Sequence, residues 1–291
     1  MLKTAKTVFR FQSRMLSTFQ TLKVTSPKEY VKQVELNRPD RLNAFNKTMW
    51  IEIGKCFNEL AVDSECRSIV LSGSGKHFTA GIDLLDMMDM GQKLSEMSDV
   101  SRKAKLFDDF IELYQKSITS LELCPKPIIV CTHSAVVGAG VDLITAADIR
   151  YCTKDSWFCV KEVDIGMAAD VGTLQRLPKA IGSQSLVREL CFTARKMLSE
   201  EAEKCGLVSK VFEDRNAMIE EAIKLADTIA QKSPVAVQAT KRNIVYSLDH
   251  TNQEGLDQIR EINKLNLQSE DFFNAVIAGQ TKGETPVFSK L

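Results

Sequence analysis

Apolar residues along the 291-residue chain change their spacing in a regular alternation. Short runs rich in β-branched and aromatic residues predict strands at 30–36, 68–72, 128–132, 148–152 and 209–212. Between them the period lengthens: Met49, Ile53, Phe57 and Leu60 recur at helical spacing within 47–62, and 104–123 carries a second amphipathic pattern. Strands and helices alternating over 22–213 predict an α/β core. From about Asp214 the strand signals stop. Helical patterns follow at 216–231, at 234–247, where Pro234 suits a first turn, and at 253–278. They predict a helical C-terminal module over 214–288 whose apolar faces pack on the core or on neighbouring subunits.

Composition narrows the class. With 44% hydrophobic residues, 7 Pro and 14 Gly, the chain can bury a large core without a metal or disulfide staple. Its eight cysteines show no CxxC pair and are accompanied by three histidines, which argues against zinc and predicts no metal site. Cys131 and Cys159 lie inside apolar runs, where a free thiol behaves as a small hydrophobe, so a reducing compartment is expected. No run approaches the roughly 18 consecutive apolar residues of a membrane span.

The 38 basic and 38 acidic side chains cancel, so bulk charge predicts no nucleic-acid partner. The cancellation is an average over unlike segments. Residues 1–28 hold Lys3, Lys6, Arg10, Arg14, Lys23 and Lys28 and no acid, leaving residues 29–291 with a net charge of −6. On a helical wheel the first four of these cations oppose Ala5, Val8, Phe9, Met15, Leu16 and Phe19, the pattern of a mitochondrial transit peptide, expected over 1–21. Ser289-Lys290-Leu291 is the tripeptide that the peroxisomal import receptor reads at a free, exposed and flexible C-terminus. Two addresses predict dual localisation, in the peroxisome and the mitochondrion.

Several motifs fail on inspection. Ser72-Gly-Ser-Gly-Lys76 lacks the first P-loop glycine, at Val70, and the Ser/Thr, at His77. Gly138-Ala-Gly140 places Leu143 where a dinucleotide fingerprint needs its third glycine. Asp83, Asp86 and Asp89 recur every third residue, which suits the acidic start of a solvated helix rather than a calcium loop. His133 near Cys131 reads as packing rather than as a nucleophile and its base.

One constellation survives. Two glycine turns, in 77–84 and 137–144, each follow a strand and lead into a helix carrying aspartate, so both present backbone N–H groups at a helix start. Glu162 lies 20 residues beyond Asp142, and Asp170 lies 8 further, both among apolar and small residues where a carboxylate is costly unless it works or is paired. Leu36-Asn-Arg-Pro39, Leu42-Asn-Ala-Phe45, Thr79-Ala-Gly-Ile-Asp83, Cys124-Pro-Lys-Pro127 and Ala147-Asp-Ile-Arg150 follow in order. Over roughly residues 22–285 these segments resemble the enoyl-CoA hydratase/isomerase (crotonase) superfamily. Lys161 to Asp170 and Val171 to Pro178 are similar to its dienoyl-CoA isomerase branch.

The resemblance implies a spiral of repeated ββα units, with C-terminal helices that hold trimers or dimers of trimers together. It implies an acyl-CoA thioester substrate, with coenzyme A part of the substrate and no separate cofactor. The N–H groups of Ile82 and Ala139 would form an oxyanion hole, and Ala80, Gly81, Ile82, Asp83, Leu84 and Ala139 would line the acyl-CoA site. Asp142, Glu162 and Asp170 fall on the branch's three acidic positions. The chemistry agrees: removing a proton beside a thioester creates an enolate, and each preorganised N–H donor aimed at its oxygen is worth roughly a hundredfold or more in rate. Moving unsaturation from 3,5 to 2,4 then needs acid/base groups at both ends of the diene, Glu162 and Asp170, with Asp142 assisting. A plain 2-enoyl-CoA hydratase would carry Glu at 142 and 162 and no acid at 170; a non-catalytic acyl-CoA-binding relative, or an RNA-binding one, is the rival from another class. Glycine is common in the family where Ala139 stands, so a turn requiring positive φ there would strain the oxyanion hole.

Overall fold

The computed structural model describes residues 17–281 and 286–291; most of the expected leader, 1–16, lies outside these. A six-stranded sheet forms the frame. β1 (Leu22–Lys28) pairs antiparallel with β2 (Val31–Leu36), and α1 (Lys47–Ala61) returns the chain to β3 (Ser68–Gly73), which runs parallel to β2. α2 (Leu84–Ser95) and α3 (Val100–Leu123) follow, then β4 (Ile128–Thr132) beside β3. β5 (Ala135–Val137) leaves this sheet and leads into α4 (Ala139–Thr145). β6 (Ile149–Thr153) returns to β4, and β7 (Trp157–Cys159) pairs with β5. α5 (Thr173–Ala180), α6 (Gln184–Thr193), β8 (Met197–Leu198) and α7 (Ser199–Lys204) complete a second, three-stranded sheet ordered β5-β7-β8. β9 (Lys210–Phe212) closes the first, ordered β1-β2-β3-β4-β6-β9. In the turns that begin with β4 and β6 the chain gives one strand to the large sheet and the next, β5 or β7, to the small sheet, with helical structure following.

The central strands are buried on both faces, which is why β3 and β4 read as continuous apolar runs rather than alternations. Ile69, Leu71, Ile128 and Val130 enter the main core with Phe45, Trp50, Phe57 and Ile118. Val70, Ile129 and Cys131 face the other way, onto α8 (Arg215–Ala230). Ala222, Ala226 and Ala230 repeat every fourth residue there, a small-residue stripe that lets the helix lie close to the sheet. The core therefore extends past 213, and α8 belongs to it. Seven of the eight cysteines are buried free thiols.

α9 (Pro234–Ser247), α10 (Asn252–Asn266) and α11 (Glu270–Gln280) end the helical part. The single pattern expected at 253–278 is broken because the Ser269 hydroxyl accepts from the Phe272 N–H and caps a new helix. Buried Lys241 fastens α9 to the core, its ammonium donating to Asp148 Oδ2 at 2.7 Å and to the carbonyls of Leu121 and Lys126.

Both chain ends are more anchored than the sequence suggests. Residues 17–21, assigned to the leader, are held on α1: Ser17 donates to Glu59, the N–H groups of Gln20 and Thr21 donate to Glu52, and Phe19 packs on the core. At the other end Arg67, buried against the Tyr30 ring, donates to the carbonyls of Phe288 and Ser289 at 2.7 and 3.2 Å, and Lys290 pairs with Glu65. The terminal tripeptide is exposed, as expected, but its backbone is tethered rather than free.

Candidate active site

The floor of the site forms where three segments meet. Phe78 N–H donates to His133 O and Thr79 N–H to Ala135 O, so the 77–83 segment runs along β5. Gly81 has φ +92°, and a Cβ there would stand 3.0 Å from Val137 O. Gly138, at φ +50°, turns the chain from β5 into α4, and a Cβ there would stand 3.2 Å from Glu162 Oε1. These two glycines bring the backbone at Ile82 and Ala139 to one wall. Neither the Ile82 nor the Ala139 N–H has an acceptor among the described residues. The feared strain at Ala139 does not arise: Ala139 lies outside the positive-φ set, because Gly138, one residue earlier, makes the turn.

A cavity of about 620 Å³ opens above this wall, and every residue singled out from the sequence lines it: Ala80 to Leu84, Ala139, Asp142, Glu162 and Asp170. The three acids stand in different surroundings. Asp142, on α4, is fully buried, and its Oδ1 accepts the Thr173 N–H at 2.6 Å where α5 begins. Burial raises its carboxyl to about 6 against the downward pull of Thr173. Glu162 sits in a single helical turn after β7, 8% exposed, with Oε2 buried and without a hydrogen-bond partner among the described residues. Burial, reinforced by the Asp142 carboxylate, raises it to about 7. Asp170 is half-buried, its carbonyl held by Gln115 Nε2 at 2.6 Å, and burial raises its carboxyl too.

Asp83 lines the cavity, but its carboxylate is already engaged. Both Arg38 guanidinium nitrogens lie 3.1 Å from Oδ2, and Oδ1 accepts from the Leu85 N–H as the cap of α2. Its charge staples the 38–44 loop to the floor rather than standing free for a ligand. Leu84 is exposed at the rim.

The sequence did not reveal the rest of the wall. Phe45 and Trp50 lie beneath, and Phe107, Phe110, Ile111 and Tyr114 lie along one face of α3, with Trp50 and Tyr114 stacked at 4.5 Å. Their helical spacing was legible; that the stripe faces a cavity was not. The Thr173 N–H that holds Asp142 carries no side-chain signature at all. A predominantly apolar slot, two unsatisfied N–H groups on one wall and three carboxylates with raised pKa values can bind an acyl chain, stabilise an oxyanion and move protons.

Residues 27–282 match the family model described as "Enoyl-CoA hydratase/isomerase". The chain is 50% identical over 277 residues to the mitochondrial Delta(3,5)-Delta(2,4)-dienoyl-CoA isomerase of Mus musculus, covering 94% of this chain and 84% of that protein. It is 40% identical over 256 residues to the peroxisomal Delta(3,5)-Delta(2,4)-dienoyl-CoA isomerase of Arabidopsis thaliana, covering 88% and 91%. The crystal structure of a putative enoyl-CoA hydratase from Streptomyces coelicolor A3(2) superposes with a TM-score of 0.84 at 26% identity, covering 95% of this chain and 98% of that one.

Proposed function

The chain belongs to the enoyl-CoA hydratase/isomerase family, and from that membership we propose that it isomerises 3,5-dienoyl-CoA to 2,4-dienoyl-CoA in the oxidation of unsaturated fatty acids. The observation that carries this reading is Asp170: a third carboxylate shares the cavity with Asp142 and Glu162. Two carboxylates suffice to hold and activate a water for addition, whereas relocating a proton along a conjugated chain calls for acid/base groups at separate points.

In this mechanism the N–H groups of Ile82 and Ala139 donate to the thioester oxygen. Glu162, whose carboxylate lies against Gly138 beside that hole, takes the proton from carbon 2. The electron pair spreads through the diene, and Asp170 delivers a proton to carbon 6, giving the 2,4-diene with no water added. Asp142 positions the segment that bears Asp170, since its bond to Thr173 ties α4 to the start of α5. Coenzyme A is part of the substrate, and no other cofactor enters the scheme.

The enzyme is proposed to work as a homo-oligomer, a trimer or dimer of trimers. Ile244, Leu248, Leu256, Leu265 and Leu267 on or just after α9 and α10, with Phe273 and Ile277 on α11, are exposed in the single chain and would be covered by neighbouring copies. Dual targeting is proposed through the basic leader and, with a free carboxylate at Leu291, the terminal tripeptide; relatives are named both mitochondrial and peroxisomal. Fluorescent fusions that leave one end or the other free would report each address separately.

The activity is tested by mixing the protein with a 3,5-dienoyl-CoA and following the absorbance of the conjugated 2,4-dienoyl thioester. A rise supports the reading. No rise, together with efficient hydration of a 2-enoyl-CoA, overturns it in favour of a hydratase, and tight binding of both esters without turnover makes the chain an acyl-CoA-binding relative.

A further inference from the structure

Isomerisation by two carboxylates leaves the enzyme in the wrong state. A turnover that begins with Glu162 ionised and Asp170 protonated moves one proton from carbon 2 to Glu162 and another from Asp170 to carbon 6, so it ends with Glu162 protonated and Asp170 ionised. Before the next turnover Glu162 must lose a proton and Asp170 must gain one.

Asp170 and Val171 line two cavities. The first is the acyl slot; the second, of about 370 Å³, shares only these two residues with it. Of the residues lining the second, only Val171 and Gly172 lack a polar side chain. Gln115, Gln175 and Lys179 on its walls are exposed, so the cavity meets solvent. Its volume far exceeds the ~10–15 Å³ that one water requires, and its amides and hydroxyl supply the two to four polar partners that each ordered water needs. Its fixed charges are paired. Arg176 donates to Glu122 at 2.7 Å and to Thr119 Oγ1 at 3.0 Å, and Lys179 pairs with Asp249, so no unpaired cation repels an arriving proton.

We propose that this second cavity is a water-filled proton route through which Asp170 is recharged from solvent while the acyl chain occupies the main slot. The inference rests on the isomerase reading. Glu162, buried beside Gly138, lines the main slot and not the second cavity, so its proton leaves with or after product. Asp170 has a door of its own. The two halves of the reset are thus separated, and the terminal acid is ready when the next substrate arrives.

The test narrows and dries the second cavity without touching the acids. Gln175→Trp combined with Thr119→Val replaces a polar wall with a bulkier apolar one, and Gln175→Asn serves as the conservative control. With 3,5-dienoyl-CoA, the plugged variant should keep its single-turnover rate within about twofold while steady-state kcat falls about tenfold and the D2O effect on kcat grows, as for a reset that has become limiting. Gln175→Asn should retain wild-type behaviour. An unchanged kcat and unchanged D2O effect in the plugged variant overturns the route, and so does a single-turnover rate that falls in parallel, which would mark a structural role. A wild-type protein that only hydrates 2-enoyl-CoA instead overturns the parent reading, and that result is distinguishable because it appears before any variant is made.

Discussion

The floor and the roof of the acyl slot are built on different principles. The floor, residues 77–83, 134–145 and 157–173, is held by backbone hydrogen bonds between segments distant in sequence and, outside the exposed stretch 163–168, is largely buried. The roof, α2 and the first turns of α3, is amphipathic and exposes Leu84, Leu85, Met88 and Phe107. A network of buried bonds fixes atoms to within tenths of an ångström, as proton transfer requires. A pair of helices held mainly by one apolar face can shift to admit chains of different length. Chemistry belongs to the floor and fit to the roof, and each statement can be broken separately.

The largest effect is expected in the floor, at Glu162→Gln. Removing a positioned acid/base group should lower kcat by about 10²- to 10⁴-fold with CoA-ester binding nearly intact, checked by steady-state assay and by calorimetric titration with a product analogue. The same variant reports on stability. The Glu162 carboxyl is raised from 4.5 to about 7 in the fold, so the stability linked to it is complete below pH 4.5 and lost as pH rises to about 7. Glu162→Gln should therefore melt at the same temperature as wild type near pH 4.5 and higher than wild type at pH 8. A variant less stable at pH 8 would mean that the carboxylate has a partner in the fold, and the floor would then be organised around it rather than despite it.

A smaller but more general effect follows from the pair. Isomerisation requires one proton shared between Glu162 and Asp170, whichever carboxyl holds it, and in the free enzyme the last such proton leaves near the raised value of Glu162, about 7. The profile of kcat/KM should fall about tenfold per pH unit well above 7 and fall again in acid as the second carboxyl is protonated. A profile flat from pH 7 to 9 would remove the carboxyl pair from proton transfer.

This division also decides what could be read from the sequence. Glu162 and Asp170 stood out because a carboxylate among small apolar residues is costly, a signal local to each residue, whereas Asp142 was marked by the glycine turn before it and all three took their roles from the family resemblance. The glycine turns were legible because each follows a strand and opens a helix, and the strain feared at Ala139 vanished because Gly138 makes the turn. By contrast β5, β7 and β8 span two or three residues each, too few for periodicity to register. The break before α11 turned on one serine acting as a cap inside an otherwise helical pattern. The second cavity draws Gln115 from α3, Gln175 from α5 and Asp249 from the loop between α9 and α10, and only the fold brings them together.

In the roof the expected effect is selective rather than large. Phe107 is 45% exposed at the edge of the slot. Phe107→Ala should leave the melting temperature within about one or two degrees and short-chain kcat/KM nearly unchanged, while lowering kcat/KM for long acyl chains severalfold, the roughly 1 kcal/mol that partial loss of apolar contact commands. Equal losses for short and long substrates would place Phe107 in the floor's business and erase the distinction.

The smallest effect tests whether the roof's helices depend on their own ends. Asp99 caps α3, its Oδ1 accepting the Arg102 N–H at 2.8 Å, in an exposed position well away from the three acids. Asp99→Ala leaves an orphan donor at the start of a 24-residue helix whose buried residues, Ser117, Ile118, Ser120 and Leu121, all lie near its other end. The cost should be about 1 kcal/mol, seen as faster amide exchange in 100–106 and a slight fall in melting temperature. Because the floor takes its order from other bonds, kcat with a short-chain substrate should stay unchanged. A loss of kcat as large as the one expected at Glu162 would show that the start of α3 is coupled to the acids, and the floor and roof would have to be treated as one unit.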